Sequence, residues 1–537
     1  MAASARIVCV GGGYVSTYML RQVRRLIDQG EIEVAVIDQN NYHTFHGLAA
    51  EMLSGQVQPG QIVSPSRRLF AGARFHNAVV DGIDLDRRIV TTSRALDGRI
   101  YEVPFDHLVL NIGSVDDLSR YPGIAEHTLR LKSYWDIFAV RSHLLRMLEL
   151  AEYETEPEER RRLLTFVIAG GNFAGIEVAT ELVSHFGRLV RKEYPRIGRD
   201  EIRIIVIHAG ERILPELDSR YPRLVDYAER YVAGLGVSVH RNVLLRSATA
   251  HEAILSDGTA IPTRTIISCT GTAQSPLLDQ LGVERDERGR VKTDAHLRVL
   301  GHANLWAGGD CAAVPHPKGG YCPPLAIYAI TAGRQIGRNL VRHFSGRPLE
   351  PYRFTGLGDA CSLGQRRAVG HLKGIQVAGF PAWLSWRLFM FLYLPLWERR
   401  IRTLIDWMIW PLIGRDIVAL QQKQQLALAE ALFEPGQVII REGDVGQSLY
   451  ILRSGEVEIV KRGGSGEEIR ICTLGPGSHF GEMAVFGRSR RTATVRALAQ
   501  VRVLEVKRDT AEVLAGSMEV LGTTLRSRPD RVLKVPQ

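Results

Sequence analysis

Cysteine is scarce and scattered. The 537-residue chain holds six (Cys9, Cys269, Cys311, Cys322, Cys361 and Cys472), and no two stand in a Cys-x-x-Cys spacing. A redox dithiol, a zinc knuckle and a disulfide framework therefore lack their raw material, and a reducing cytoplasm suits this usage. Long apolar runs are missing too. The longest, residues 383–397, is interrupted by Arg387 and falls short of the roughly 20 residues a spanning helix needs. The chain runs straight into an apolar strand, residues 6–10, with no charged-then-apolar leader before it, so a secretory signal is not expected. Hydrophobic content of 45% with 23% charged residues excludes a disordered or fibrous class. Length alone calls for three or four units of roughly 150 residues each. The net charge of +10 fits nucleic acid, anionic lipid or anionic cofactors, and only its placement can choose among them.

What the chain has is glycine in telling places. The strand of residues 6–10 enters Gly11-Gly12-Gly13, and from Tyr14 to residue 27 the apolar spacing is helical. A second strand, residues 34–37, ends at Asp38, where a βαβ dinucleotide fold puts a carboxylate that accepts from ribose hydroxyls. Backbone N–H groups at such a helix start bind pyrophosphate oxygens, and glycine lets the backbone come close. Ser16 stands where a third glycine, which serves helix packing, is expected. The pattern repeats downstream. A strand over residues 164–169 leads into Gly170-Gly171-Asn172-Phe173-Ala174-Gly175, so a second βαβ unit begins there. Two units about one domain length apart imply flavin in one and a nicotinamide nucleotide in the other. The charged run of residues 154–162 before the second unit reads as a solvated helix face or a linker.

Further matches are Asn40-Asn41-Tyr42-His43 after Asp38, Val63-Ser64-Pro65 with Arg68-Leu69-Phe70, Gly175-Ile176-Glu177, Gly308-Gly309-Asp310-Cys311-Ala312, Pro323-Pro324 and Arg415-Asp416-Ile417-Val418. By these residues the chain resembles the type II NADH dehydrogenases, the non-pumping flavin-dependent NADH:quinone oxidoreductases, over roughly residues 5–420. The resemblance implies an α/β, glutathione-reductase-like fold without its disulfide. An FAD-binding domain in two parts, residues 1–125 and 266–380, would enclose an NAD(P)H-binding domain of residues 126–265. It implies FAD contacts at Gly11, Gly13, Tyr14, Asp38, His43, Gly113, Asp310 and Ala326, and NAD(P)H contacts at Gly170, Gly171, Asn172, Gly175, Glu177, His208 and Gly271. Glu177, near nicotinamide and flavin in the family, is the candidate catalytic residue. Hydride would pass from NADH or NADPH to FAD and onward to a quinone or another acceptor. The resembling enzymes are often homodimers.

The chain departs from that pattern at several positions. Asn172 replaces a glycine and could obstruct phosphate, although Asn tolerates left-handed backbone. His208, with Arg212 nearby, stands where an acid would accept from the adenosine ribose, so NADH and NADPH both stay open. Ile327 and Thr331 occupy the places of paired glutamines that mark the quinone site, and Asn111-Ile112-Gly113 replaces an Ala-Thr-Gly. His43 and His46 lack a third ligand, so no metal is expected. Cys311 reads as a small buried residue under the flavin.

Residues 381–425 form a separate segment. Within it, residues 383–412 mix Trp397, Trp407 and Trp410 with aliphatic side chains and with Arg387, Arg399, Arg400 and Arg402, which predicts amphipathic helices. The reading is reversible, peripheral attachment to the inner face of the cell membrane, and the alternative is packing against the catalytic body or a sister subunit.

From about residue 426 to the end, short alternating strands (residues 437–440, 448–453, 456–461, 469–474 and 495–506) with glycine turns predict a small β-roll. Through Arg441-Glu442-Gly443-Asp444, Phe480-Gly481-Glu482-Met483 and Arg491-Thr492-Ala493-Thr494 this part resembles the cyclic-nucleotide-binding domains. The match implies that Glu482 accepts from the ribose 2′-OH and Arg491 pairs with the cyclic phosphate, with Gly481, Met483 and Thr492 around them. Cyclic AMP and cyclic GMP stay open. A DNA-binding regulator would need a helix-turn-helix after this domain, so nucleic acid is not an expected partner. Two readings remain: a flavoenzyme regulated by cyclic nucleotide, or a catalytically degenerate flavin-binding sensor or scaffold.

Overall fold

The computed structural model describes residues 4–93, 100–116, 123–270, 272–413, 417–419, 428–444, 446, 448–463, 467–486, 490–508 and 510–511. In chain order the first part runs β1 (Ala5–Val10), α1 (Tyr14–Asp28), β2 (Ile32–Asp38), α2 (Ala49–Leu53), β3 (Arg74–Asn77) and β4 (His107–Leu110). The second runs α3 (Tyr134–Tyr153), α4 (Pro157–Leu163), β5 (Thr165–Ala169), α5 (Phe173–Lys192), β6 (Arg203–Ile207), β7 (Ser238–His240) and β8 (Thr265–Ser268). The chain then returns with β9 (Leu305–Ala307), α6 (Ala326–Phe344) and the strand β10 (Ala360–Ser362).

Two parallel sheets result, in the orders β9-β4-β1-β2-β3 and β7-β6-β5-β8. Their central strands are apolar on both faces because both faces are covered, one by helices and the other by a small antiparallel sheet, with strands within residues 79–104 in the first unit and 245–262 in the second. Register does the positioning. Val10 lies opposite Ile37, so the glycines after β1 emerge beside Asp38 at one sheet edge. Ala169 lies opposite Ile207 and Ser268, so Gly170 emerges beside His208 and Cys269. In the first unit α1 crosses α6 so closely that a Cβ on Gly333 would sit 2.4 Å from the Val15 carbonyl oxygen. The close helix approach that a third loop glycine would provide is thus supplied from α6.

The segment after β10 forms the expected helices, α7 (Phe380–Tyr393) and α8 (Trp397–Ile413). The carboxy-terminal part is a roll of two antiparallel sheets. Its elements are β11 (Leu428–Phe433), β12 (Val438–Ile440), β13 (Ser448–Ser454), β14 (Val457–Arg462), β15 (Glu468–Leu474), β16 (His479–Phe480), α9 (Glu482–Phe486), β17 (Thr494–Ala497) and β18 (Val501–Lys507). The sheet orders are β11-β18-β13-β16 and β12-β17-β14-β15, closed on Phe433, Ile440, Tyr450, Leu452, Phe480, Val495 and Val503. The single strand expected over residues 495–506 is two: an exposed corner at Leu498, Ala499 and Gln500 carries the chain from one sheet to the other.

One expectation holds only in part. The charged run of residues 154–162 has one solvated face, where residues 155–158 and 161 are exposed, and one covered face. It folds largely into α4, with Pro157 and acids in the first turn and arginines in the last, as the helix dipole favours. Glu159 and Arg162 are only 6% and 8% exposed, because the β-roll and Arg264 cover them.

Candidate functional site

The first loop is built for close approach. Gly11 has φ +105°, and a Cβ there would lie 2.3 Å from the Asn111 carbonyl oxygen. A Cβ on Gly13, which precedes α1, would lie 2.9 Å from Asn111 Oδ1. Asn111, the departure from Ala-Thr-Gly, therefore braces the loop: its Nδ2 donates to Gly11 O at 2.6 Å. Ser16 is fully buried and its hydroxyl donates to Gly11 O at 2.8 Å, so this substitution adds a hydrogen bond where packing space alone was expected. Asp38 accepts from Gly12 N–H at 2.6 Å and from Asn40 N–H at 2.7 Å. Burial raises its pKa, and these two donors oppose the rise.

Around this loop the predicted flavin residues converge. Tyr14 meets the His43 ring edge-on, 4.5 Å between centroids. Burial drives His43 down to about 3, so the ring is neutral, and its Nε2 is buried with no partner among the described residues. His46 faces Lys132 O at 2.7 Å. Lys132 Nζ donates to Ser114 Oγ at 2.6 Å, and Ser114 Oγ donates to Asp310 Oδ2 at 3.0 Å. Lys132 and Ser114 were not anticipated. The only sequence signal was the Ser133-x-x-Asp136 capping box that starts α3 and fixes Lys132 in the preceding turn. Gly113 has φ +77° with open space around it, and Ala326 opens α6. Cys311 is buried, and burial pushes its thiol up to about 11, which suits a packing role rather than redox chemistry.

In the second loop Gly175 is the strictest position, because a Cβ there would fall 1.8 Å from Gly170 O. Gly170 has φ +125°, and a Cβ on Gly171 would meet the His208 ring at 2.7 Å. Asn172 does not obstruct the loop. Its backbone is extended, and its side chain turns inward to cap α5, accepting from Gly175 N–H at 3.0 Å and donating to Cys269 O at 2.8 Å. His208 takes the bracing part that Asp38 plays in the first unit. Gly171 N–H donates to its Nδ1 at 3.3 Å, which assigns the ring proton to Nε2, facing Arg212 O at 2.8 Å. Arg212 is held by Asp218, Asp226 and Glu229. Gly271 lies outside the described residues.

Glu177 stands at the start of α5, where its Oε1 accepts from Ser362 N–H of β10 at 3.0 Å. Burial first, then the nearby Glu51 and Glu216, push its pKa up to about 8, so it holds a proton at neutral pH. Glu51 is buried on α2 and ties both later helices to the body. It accepts from Trp407 Nε1 of α8 at 2.8 Å and pairs with Arg387 of α7 at 3.4 Å. Arg387 is sandwiched between the Trp383 and Trp407 rings, at 4.7 and 4.1 Å. The outer faces stay bare: Leu384, Leu388 and Leu392 on α7, and Ile401, Leu404, Ile405, Met408 and Ile409 on α8, are exposed. No described helix is long and apolar enough to cross a membrane. At α6, Ile327 is buried and the Thr331 hydroxyl donates to Ile327 O and meets Tyr352 OH at 2.7 Å, so neither offers the amide a glutamine would.

In the β-roll, Gly481 has φ +87°, and a Cβ there would lie 2.6 Å from Arg491 Nη1. Glu482 opens α9, and its Oε2 is buried with no hydrogen-bond partner among the described residues. Met483 and Thr492 are exposed. Arg491 is 7% exposed, with Nη1 donating to Gly481 O at 2.7 Å and Nη2 to Ser448 O at 2.6 Å.

Two parallel sheets with braced glycine loops, followed by an antiparallel roll, define a protein of two dinucleotide-type folds joined to a small β-roll domain. Comparison with known proteins agrees with that geometry. Residues 5–333 match the pyridine nucleotide-disulphide oxidoreductases, and residues 430–516 match the cyclic nucleotide-binding domain. The chain belongs to the pyridine nucleotide-disulphide oxidoreductase family. Among curated relatives, a probable NADH dehydrogenase of Dictyostelium discoideum is 26% identical over 418 residues, covering 77% of this chain and 90% of the relative. The type II NADH:quinone oxidoreductase Ndh of Mycobacterium tuberculosis is 24% identical over 418 residues, covering 75% and 87%. The solved structure of NDH2 from Plasmodium falciparum in complex with NADH superposes with a TM-score of 0.71 at 17% identity, covering 77% of this chain and all of that one.

Proposed function

We propose that the chain is an FAD-dependent NADH oxidoreductase of the type II NADH:quinone kind, seated on a membrane surface and regulated through its carboxy-terminal domain. The observation that carries this is Glu177, a half-buried carboxyl whose pKa is pushed up to about 8 by desolvation, on the helix that the second glycine loop opens. A merely structural nucleotide fold has no use for such a group. The residues present fit FAD: the first loop offers backbone with no Cβ in the way at the start of α1, and His43 keeps a buried ring nitrogen with no partner among the described residues. Bound there, FAD would supply the two-electron acceptor that the protein itself lacks. Gly11 and Gly13 would admit its pyrophosphate, Asp38 its ribose, and Asp310 with Lys132 and Ser114 would orient the ribityl side.

The second loop would hold the nicotinamide nucleotide by its pyrophosphate, and Glu177 would meet the reacting end as a neutral hydrogen-bond donor or acceptor. NADH is the donor this site supports first. Arg212, whose carbonyl faces the His208 ring, is already committed to three carboxylates and is not free for a 2′-phosphate. The acceptor is a quinone, as the names of the relatives suggest, reached without the paired glutamines. The bare faces of α7 and α8 support peripheral attachment to the membrane. Cyclic AMP or cyclic GMP would bind at Arg491 and Glu482.

Anaerobic titration of the purified flavoprotein with NADH and, separately, NADPH tests the reading. Rapid bleaching of flavin absorption by NADH is expected. Oxidised flavin that persists with both donors, with and without cyclic nucleotide, would overturn it in favour of a flavin-binding sensor.

A further inference from the structure

The seam between the β-roll and the second dinucleotide unit is ionic and buried. Arg162 Nη1 of α4 donates to Asp444 Oδ1 of the roll at 2.9 Å and to Glu159 Oε2 at 3.3 Å, while Glu159 Oε1 accepts from Arg264 Nε at 2.7 Å. His251 Nε2 stands 3.5 Å from Asp444 Oδ2, and His127 Nε2 stands 3.8 Å from Glu505 Oε2 of β18. Burial and the surrounding arginines keep His251 neutral, so Arg162 is the full positive charge that Asp444 faces across the seam at hydrogen-bond distance. The Asp444 and Arg162 side chains keep a tenth or less of their surface exposed. A carboxylate this buried depends on its partner, and removing one member of such a pair leaves an uncompensated charge.

Asp444 also belongs to the candidate anion site. Gly443 N–H donates to Arg491 O at 2.9 Å, and Arg491 N–H donates to Asp444 O at 2.8 Å, so the two segments are clasped main chain to main chain. The forked edge of the Arg491 guanidinium, Nη1 and Nη2, is committed to the carbonyls of Gly481 and Ser448. A phosphate taking that edge in two parallel hydrogen bonds competes with both carbonyls for the guanidinium, and the clasp passes a resulting shift of Arg491 to Asp444. On the other side of the seam, α4 ends at Leu163, two residues before β5, and β5 ends directly at Gly170 of the nicotinamide loop.

We infer that this seam is a latch: pairing of Asp444 with Arg162 and occupation of Arg491 by a cyclic phosphate oppose each other, so the nucleotide frees α4 and thereby the strand that carries the nicotinamide loop. The inference rests on reading the roll as a cyclic-nucleotide site. Because linkage is reciprocal, weakening the latch tightens the nucleotide by the factor with which the nucleotide weakens the latch.

The test uses the full-length, FAD-loaded protein. Calorimetric titration with cyclic AMP and cyclic GMP is combined with hydrogen exchange over residues 157–163, in wild type, in Arg162→Gln and in Asp444→Asn, which neutralises the pair from the other side. Circular dichroism confirms that each variant is folded. Expected are faster exchange of residues 157–163 in wild type on saturation, and about five-fold or tighter nucleotide binding in both variants. Binding that emerges only in the variants supports the latch equally. Equal affinity in all three proteins, or slower exchange on binding, overturns the latch and leaves the nucleotide site standing. A complete absence of binding in all three folded proteins removes the site itself, and the latch with it.

Discussion

At the scale of single residues, Gly175 and Glu177 make opposite demands, one for the absence of a side chain and the other for a half-buried one. A Cβ at Gly175 would overlap Gly170 O, so Gly175→Ala must shift the loop. We expect a loss of about 2 kcal/mol in stability by urea denaturation and no flavin bleaching by NADH. Glu177 acts through protons. Its pKa in the folded protein, about 8, lies well above its ordinary value, so between the two the folded state holds a proton that the unfolded state has released. Its contribution to stability therefore falls as pH rises across that window. Glu177→Gln should flatten the decline, measured as urea midpoints at pH 5 and pH 8. Gly175 was legible because it obeys a local rule of the strand-loop-helix motif, whereas Glu177 was reached only through the family resemblance. The inward turn of Asn172 was not legible, because its partner Cys269 lies 97 residues away in sequence. Lys132 and Ser362 escaped for the same reason: their roles exist only once distant strands are side by side.

Among the elements, the helix pair α7 and α8 is bound to the body on one side and bare on the other. Arg387 holds the bound side by charge to Glu51 and by stacking on two tryptophans. Arg387→Ala should cost about 3 kcal/mol by thermal or urea melting and raise hydrogen exchange in both helices, since it strands a buried carboxylate. The bare side is tested separately. The double change of Leu388→Glu and Leu392→Glu should abolish sedimentation with anionic vesicles while leaving NADH oxidation with a soluble acceptor within about two-fold, because neither side chain packs in the body. The apolar and arginine-bearing pattern announced both helices. It did not say which arginine would be buried, because helical spacing assigns a face but not its neighbour. The run of residues 154–162 teaches the converse: charge in the sequence reads as solvent until a partner domain is known to cover it.

Seen whole, the molecule is an oxidoreductase body with a β-roll resting on its second parallel-sheet unit. Both folds were readable from sequence because each glycine loop and each short alternating strand follows local geometry. The seam between them was not, since ionic contacts between domains leave no periodicity behind. Because the seam is buried, the isolated β-roll should lose stability relative to the intact chain, seen as an earlier melting of roll-specific hydrogen exchange in a separately expressed residue 426–537 fragment. The path of the chain carries one more consequence. The sheet that flanks the first glycine loop takes strand β9 from nearly 200 residues beyond its neighbour β4, and α6, which packs on α1, ends only at Phe344. A ribosome must therefore complete the entire second unit before the first can close. If the first loop holds flavin as proposed, its capture is a late event of synthesis, and the β-roll is the part of the chain made after the first sheet has all its strands.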